Sequence, residues 1–260
     1  MNRISNLFQN KTGKVLNIYF TAGFPALNNT ATILEALQEA GADIAEIGMP
    51  YSDPVADGET IQQSNQIALE NGMSLKVLFE HLTGIRQKVN IPIILMGYIN
   101  PVIQFGIEDF CKKCQEVGVD GLILPDLPMD EFDEEYKAIF EKYGLLNIFL
   151  ITPQTSEARV KRIDEISDGF IYMVSSASVT GATSGISESM EAYFNRINGM
   201  NLKNPRLIGF GIKDHESFMK ASQYAAGAII GSQFIRELQN STQDNLYSNI
   251  VHYIKSVKAE

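Results

Sequence analysis

Two kinds of apolar spacing alternate along this chain. Short unbroken runs rich in Ile, Val, Leu and aromatic residues read as buried strands, and longer stretches with an apolar residue every three or four positions read as amphipathic helices. After a short amphipathic start, Val15–Phe20 predicts a strand closed by the turn Ala22-Gly23-Phe24-Pro25, and Ala31–Ala40 predicts a helix. Ile44–Gly48 is the second strand. Helical spacing follows from Glu59 through Ala68 and again over Ser74–Val89. Ile91–Met96 is the third strand, with Pro92 at its start where a missing N–H is tolerated. Helix Ile107–Val117, strand Gly121–Leu124, helix Glu131–Tyr143, strand Asn147–Ile151 and helix Ser156–Ile166 continue the series. Strand Phe170–Val174 leads into a glycine-containing loop and helix Ser187–Ile197. Strand Arg206–Phe210, helix His215–Ser222 and strand Gly227–Ile230 follow, and two helical stretches, Gln233–Leu238 and Leu246–Val257, end the chain.

Eight strands in strict alternation with helices imply parallel neighbours joined by right-handed crossovers. The expected architecture is an α/β fold, a (β/α)8 TIM barrel with an extra N-terminal helix and a short extra helix after the eighth strand. An open doubly wound sheet is the alternative. Its dinucleotide-binding form needs a glycine-rich first turn, and Thr21-Ala-Gly-Phe-Pro25 is not G-x-G-x-x-G. The chain has 260 residues, 45% of them hydrophobic, so its length fits either two small domains or one large one. No repeat, charge block or Pro/Ser-rich linker interrupts the alternation, so one barrel domain spanning 1–260 is expected.

Charge narrows the partners. There are 21 basic and 31 acidic residues, a net charge of -10, which argues against binding a nucleic-acid backbone. A small phosphorylated ligand stays open, because backbone amides and helix ends bind anions locally. The first residues lack the apolar core of a signal peptide and no run is long enough to span a membrane, so a cytoplasmic location is expected. Cys111 and Cys114 have C-x-x-C spacing but no second pair, and His81, His215 and His252 are scattered. No metal site is expected, and the two thiols read as the packed face of an amphipathic helix.

Candidate chemistry centres on Gly41–Gln62, GADIAEIGMPYSDPVADGETIQ. Glu46 lies inside an apolar strand, near its carboxyl end, where an unpaired carboxylate is costly and where α/β enzymes carry their reactive groups. Burial would raise its pKa into the useful range for proton transfer, while Asp57 on the wetter loop would stay ionised. The competing reading pairs Glu46 with a buried Lys or Arg and leaves Asp57 in a simple Asp-Gly turn with Gly58. On the same rim, Gly209-Phe210-Gly211 ends the seventh strand and Gly231-Ser232 ends the eighth where a helix begins. With Gly181–Gly185 these offer free N–H groups and a hydroxyl to a phosphate.

With those residues assembled, the chain resembles the alpha subunits of tryptophan synthase along essentially its whole length. The marks are Glu46-Ile-Gly-Met-Pro50-Tyr-Ser52-Asp53-Pro54-Val-Ala56-Asp57-Gly58, Ile61-Gln62, Gly118-Val-Asp-Gly121, Pro125-Asp126-Leu-Pro128, Val179-Thr180-Gly181, Gly209-Phe210-Gly211-Ile212 and Gly231-Ser232. The resemblance implies a lyase, classed with carbon-oxygen lyases, that cleaves indole-3-glycerol phosphate to indole and glyceraldehyde 3-phosphate by a reverse aldol reaction in tryptophan biosynthesis. It implies Glu46 as general acid and base and Asp57 as the carboxylate facing the indole N–H. Tyr172 would hold the glutamate, Tyr19 and Phe210 would wall the indole pocket, Thr180 would close a lid, and Gly181, Gly211, Gly231 and Ser232 would contact phosphate. Asp53, Pro54, Asn100 and Asp126 would face a beta subunit in an alpha2beta2 complex. No cofactor is implied in this chain; pyridoxal phosphate belongs to the partner.

Three positions depart from the family pattern: Glu59 where proline is common, Ser178 where glycine is usual, and Phe24 where an acidic residue is frequent. None removes a catalytic group. A non-catalytic regulatory partner of a beta subunit, or another phosphate-binding barrel enzyme of aromatic amino-acid synthesis, would keep the barrel. Intact Glu46 and Asp57 speak against the first, and the lack of a lysine on the first two strands speaks against the second.

Overall fold

The computed structural model describes residues 2–11, 13–54, 57–174, 187–209 and 211–259. Among these, the strand segments are β1 (Val15–Thr21), β2 (Ile44–Gly48), β3 (Ile93–Met96), β4 (Gly121–Ile123), β5 (Leu146–Asn147), β6 (Leu150–Ile151), β7 (Ile171–Val174), β8 (Arg206–Gly209) and β9 (Gly227–Ile230). They form one parallel sheet in the order β5-β4-β3-β2-β1-β9-β8-β7-β6. The two ends of that order are consecutive in the chain, separated by Ile148 and Phe149. Ile148 N donates to Leu122 O at 2.9 Å on one side, and Tyr172 N donates to Phe149 O at 3.0 Å on the other. The fifth predicted strand therefore pairs with β4 through its first half and with β7 through its second. The sheet closes on itself as a TIM barrel, and the stagger that closure demands falls on this strand.

Side chains alternate between the two faces of each strand. Val15, Ile44, Ile94, Ile123, Ile148, Phe170, Tyr172, Leu207 and Ile229 pack together inside the ring. Leu16, Ile18, Phe20, Ala45, Ile47, Leu95, Leu122, Ile171, Met173, Ile208 and Ile230 face outward into the larger core shared with the helices. Strands covered on both faces need near-continuous apolar sequence, which explains why the runs were unbroken. The β1–β9 seam is a close backbone approach: Val15 lies opposite Gly227, and a Cβ at 227 would overlap the Val15 backbone. Only glycine closes the ring there.

The helix Arg3–Asn10 covers the amino-terminal mouth of the barrel. Ile4 is fully buried within the inner cluster and the Phe8 ring lies 5.9 Å from that of Phe170. The Asn2 side chain caps the helix by accepting from Ile4 N at 2.9 Å, and its Nδ2 donates to Asp120 O at 2.7 Å and Gly144 O at 2.9 Å. Asp120 is buried and accepts from Arg3 (3.0 Å), Arg86 (2.6 Å) and Ile93 N (2.9 Å), tying helix, loops and β3 together. At the far end the expected extra helix is present as Ser232–Gln239, directly after β9, followed by Leu246–Lys258.

Several helices differ from expectation. Ile99–Phe105 is a helix in a stretch to which the sequence assigned no element; Pro101 sits in the first turn, where its N–H would have no acceptor. The stretch expected as one helix over Ser74–Val89 stops at Leu82, because Gly84 takes a left-handed conformation (φ 77) before a 3-10 turn at Ile85–Gln87. The helix expected over Glu131–Tyr143 contains a π-helical turn at Phe132–Tyr136. Cys111 and Cys114 are buried on Ile107–Val117, and burial pushes both thiols up, Cys111 to about 12. That is packing rather than reactive thiol chemistry. Among the described residues no helix is long and apolar enough to cross a membrane.

Candidate active site

Glu46 is fully buried on the inward face of β2, two residues beyond the apolar Ile44, with Tyr19 opposite it on β1 and Ile94 on β3. Among the described residues no cation pairs with Glu46, so that alternative is not what the structure holds. Glu46 Oε2 instead accepts from Asn17 Nδ2 at 2.5 Å, while among the described residues Glu46 Oε1 and Asn17 Oδ1 have no hydrogen-bond partner. Burial raises the Glu46 carboxyl from 4.5 to about 8, opposed by the Asn17 hydrogen bond. A carboxyl so placed holds a proton at neutral pH and can give it up.

Two tyrosines complete the inner wall. Tyr19 and Tyr172 are buried, and burial raises both phenols above their usual range, with the charges of Glu46 and Asp57 adding to the effect. They stay neutral. Each needs a glycine on the neighbouring strand: a Cβ at Gly48 would overlap the Tyr19 hydroxyl, and one at Gly209 would overlap the Tyr172 ring. Gly231 lies beside Tyr19, whose ring would be 3.7 Å from a Cβ there.

Asp57 lies on the loop after β2 and is half-buried, drier than the sequence suggested. Burial raises its carboxyl, and the Tyr98 hydroxyl, donating at 3.2 Å, opposes that. Gln62 Nε2 donates to the Asp57 carbonyl at 2.7 Å and fixes the loop to the helix Glu59–Glu70. The Tyr98 ring lies tilted against that of Tyr51, centroids 5.3 Å apart, and Asn100 Nδ2 donates to the Tyr51 hydroxyl at 3.3 Å. Asp126 is exposed and accepts from Ile99 N at 2.9 Å, holding the start of Ile99–Phe105. Asp53 is exposed, accepting from Ser52 Oγ at 2.5 Å, and Pro54 follows it on the same loop. Asn100 and Asp126 are thus brought together around one helix start, and Asn100 reaches Asp57 through two tyrosines.

Of the positions expected to contact phosphate, Gly211, Gly231 and Ser232 are among the described residues. Gly231 caps Ser232–Gln239, whose first backbone bond is Ile235 N to Gly231 O at 3.1 Å. The N–H groups of its first turn have no intrahelical acceptor. Gly211 has φ 76 and open space around its Cα. Thr180, Gly181 and Phe210 lie outside the described residues, as does Ser178.

A family model described as tryptophan synthase alpha chain matches residues 5–259. The chain belongs to the tryptophan synthase alpha chain family. The family's alpha chain of Christiangramia forsetii is 58% identical over 259 residues, covering 100% of this chain and 99% of that one. The alpha chain of Flavobacterium johnsoniae is 58% identical over 241 residues, covering 93% and 95%. Among solved structures, tryptophan synthase subunit alpha from Legionella pneumophila superposes with a TM-score of 0.90 at 30% identity, covering 100% and 98%. A chain of the tryptophan synthase complex from Pyrococcus furiosus gives 0.86 at 30%, covering 96% and 100%. As a tryptophan synthase alpha chain, the protein carries out the alpha reaction of tryptophan biosynthesis, which sets aside the other barrel enzymes.

The departures from the family pattern have local explanations. Glu59 is the first residue of its helix, the position that favours proline, and a carboxylate there suits the helix dipole. Phe24 is buried in the turn after β1. The residue that sequence reasoning missed is Asn17. Its signal was the same as that of Glu46, a polar residue inside an apolar strand.

Proposed function

We propose that this chain cleaves indole-3-glycerol phosphate to indole and glyceraldehyde 3-phosphate, with Glu46 and Asp57 as the working carboxyls. Protonated Glu46 gives its proton to the substituted ring carbon, which leaves positive charge on the ring nitrogen. Asp57 accepts the ring N–H and stabilises that charge. The carbon-carbon bond then breaks as the ionised Glu46 takes the proton of the adjacent side-chain hydroxyl. The ring recovers its electrons, the side chain leaves as an aldehyde, and Glu46 is protonated again. The observation that carries this reading is the buried, cation-free carboxyl of Glu46, raised to about 8.

Gly211, Gly231 and the start of Ser232–Gln239 would bind the phosphate, joined by Gly181, and Thr180 would act in closure. Tyr19, Tyr172 and Phe210 would line the indole. The whole chain would act as one barrel domain in the cytoplasm, without its own cofactor, in an alpha2beta2 complex whose beta subunit carries pyridoxal phosphate. A partner seated on Asp53, Pro54, Asn100 and Asp126 would bear on the Asp57 loop through Tyr51 and Tyr98. Indole release from indole-3-glycerol phosphate, measured for wild type and Glu46→Gln with and without beta subunit, tests the reading. Release by wild type and not by the variant, increased by the partner, is expected. Equal release by both would remove Glu46 from the chemistry. No release by either, with the partner present, would leave a regulatory role.

A further inference from the structure

An amide is a costly way to fill a barrel interior. The inward positions around residue 17 are taken by Val15, Ile44, Ile94 and Ile229, and a leucine would fill the place of Asn17 without burying two polar atoms. Asn17 is fully buried, makes its hydrogen bond to Glu46 Oε2 at 2.5 Å, and among the described residues leaves its own Oδ1 without a partner. A buried polar atom without a partner calls for a reason beyond packing. The carboxyl it touches is divided in the same way, since Oε2 is held and Oε1 is not.

We propose that Asn17 is a positioning residue for the alpha reaction: its Nδ2 anchors Glu46 Oε2 and leaves Oε1 as the oxygen that exchanges the proton with substrate. This rests on Glu46 as the acid and base. Pinning one oxygen fixes the carboxyl plane, so that a single oxygen meets the ring carbon in the first step and the hydroxyl in the second. A carboxyl free to rotate about its terminal torsion would present either oxygen in a broad range of orientations. The same N–H supports the anion left after the first transfer, because a hydrogen bond to the charged form favours it. The titratable groups facing Glu46 are Tyr19 on β1, Tyr172 on β7 and Asp57 on the following loop, with Tyr98 behind Asp57. Among the described residues no ion pair involves Glu46.

The test is the pH dependence of indole release by the complex with beta subunit, for wild type, Asn17→Leu and Glu46→Gln. Asn17→Leu is expected to keep KM within about twofold, to lose about tenfold or more in kcat, and to shift the alkaline limb upward by about one pH unit or more, the size set by a hydrogen bond to a charged group. Infrared titration of the protonated carboxyl band that Glu46→Gln removes gives the same midpoint without turnover, and it is expected to move up in Asn17→Leu. An unchanged midpoint and an unchanged kcat would overturn the proposal, as would a loss confined to KM. If Asn17→Leu does not fold, the smaller, β-branched Asn17→Val makes the same test. Failure of the underlying reading looks different: Glu46→Gln would then release indole as fast as wild type.

Discussion

Replacing Glu46 by glutamine should make the folded chain more stable at alkaline pH while it removes activity. The folded carboxyl titrates at about 8 against an ordinary 4.5. Below about pH 4.5 both states hold the proton and the group contributes no pH dependence. Between the two values the unfolded chain has lost the proton and the folded chain keeps it, so unfolding releases a proton and stability falls as pH rises. Above about 8 the folded state carries a buried carboxylate and the penalty is complete. A difference of about 3.5 pH units at about 1.36 kcal/mol each amounts to roughly 5 kcal/mol, a large share of the stability of an ordinary domain. Glutamine keeps the shape and an acceptor for Asn17 but does not titrate. Urea unfolding of wild type and Glu46→Gln at pH 5 and pH 9 cancels every other titration common to both. The variant should exceed wild type at pH 9 by several kcal/mol and differ by no more than about 1 kcal/mol at pH 5. A stability difference that is the same at both pH values would refute a proton held by burial.

Asp120→Ala removes the shared acceptor of Arg3, Arg86 and Ile93 N and leaves a half-buried guanidinium unpaired; a loss of about 3–5 kcal/mol in urea unfolding is expected. Gly209→Ala forces the Tyr172 ring out of its place, which should cost about 1–3 kcal/mol in thermal unfolding and most of the indole release. Tyr98→Phe removes the hydrogen bond that favours the Asp57 anion. The Asp57 carboxyl should rise, so that activity in the complex is lost at a higher pH on acidification, and an unmoved acid limb would separate Tyr98 from Asp57.

The strands were legible because a sheet covered on both faces leaves no room for polar residues, and Glu46 was legible because it breaks that rule. Asn17 breaks it too, but one amide passes as tolerable until its neighbour across the sheet is known. The helix Ile99–Phe105 has only seven residues and carries a proline, too short for a period to stand out, and the proline is tolerated because it falls in the first helical turn. The divided fifth strand was not readable at all, since its break comes from the closure of the whole ring and not from Leu146–Ile151. The Asp57 surroundings depend on Tyr98, 41 residues away, and sequence spacing carries no trace of that distance. The two departures at Glu59 and Phe24 were visible as differences, and their places, a helix start and a buried turn, came only with the structure.

The seam between β1 and β9 sets a timetable for the newborn chain. Val15 leaves the ribosome about 210 residues before its partner Gly227 is made. At about 5–20 residues per second the first strand waits roughly 10–40 s with one edge bare. Its other edge is covered once the helical crossover Thr30–Glu39 and β2 have followed, when Tyr19 pairs with Glu46. An exposed edge is a template for the wrong chain, and crowded polysomes supply many copies of it. A side chain at Gly227 would overlap the Val15 backbone and hinder the pairing that ends this exposure, so the same glycine that shapes the finished barrel also bears on how long the edge stays open.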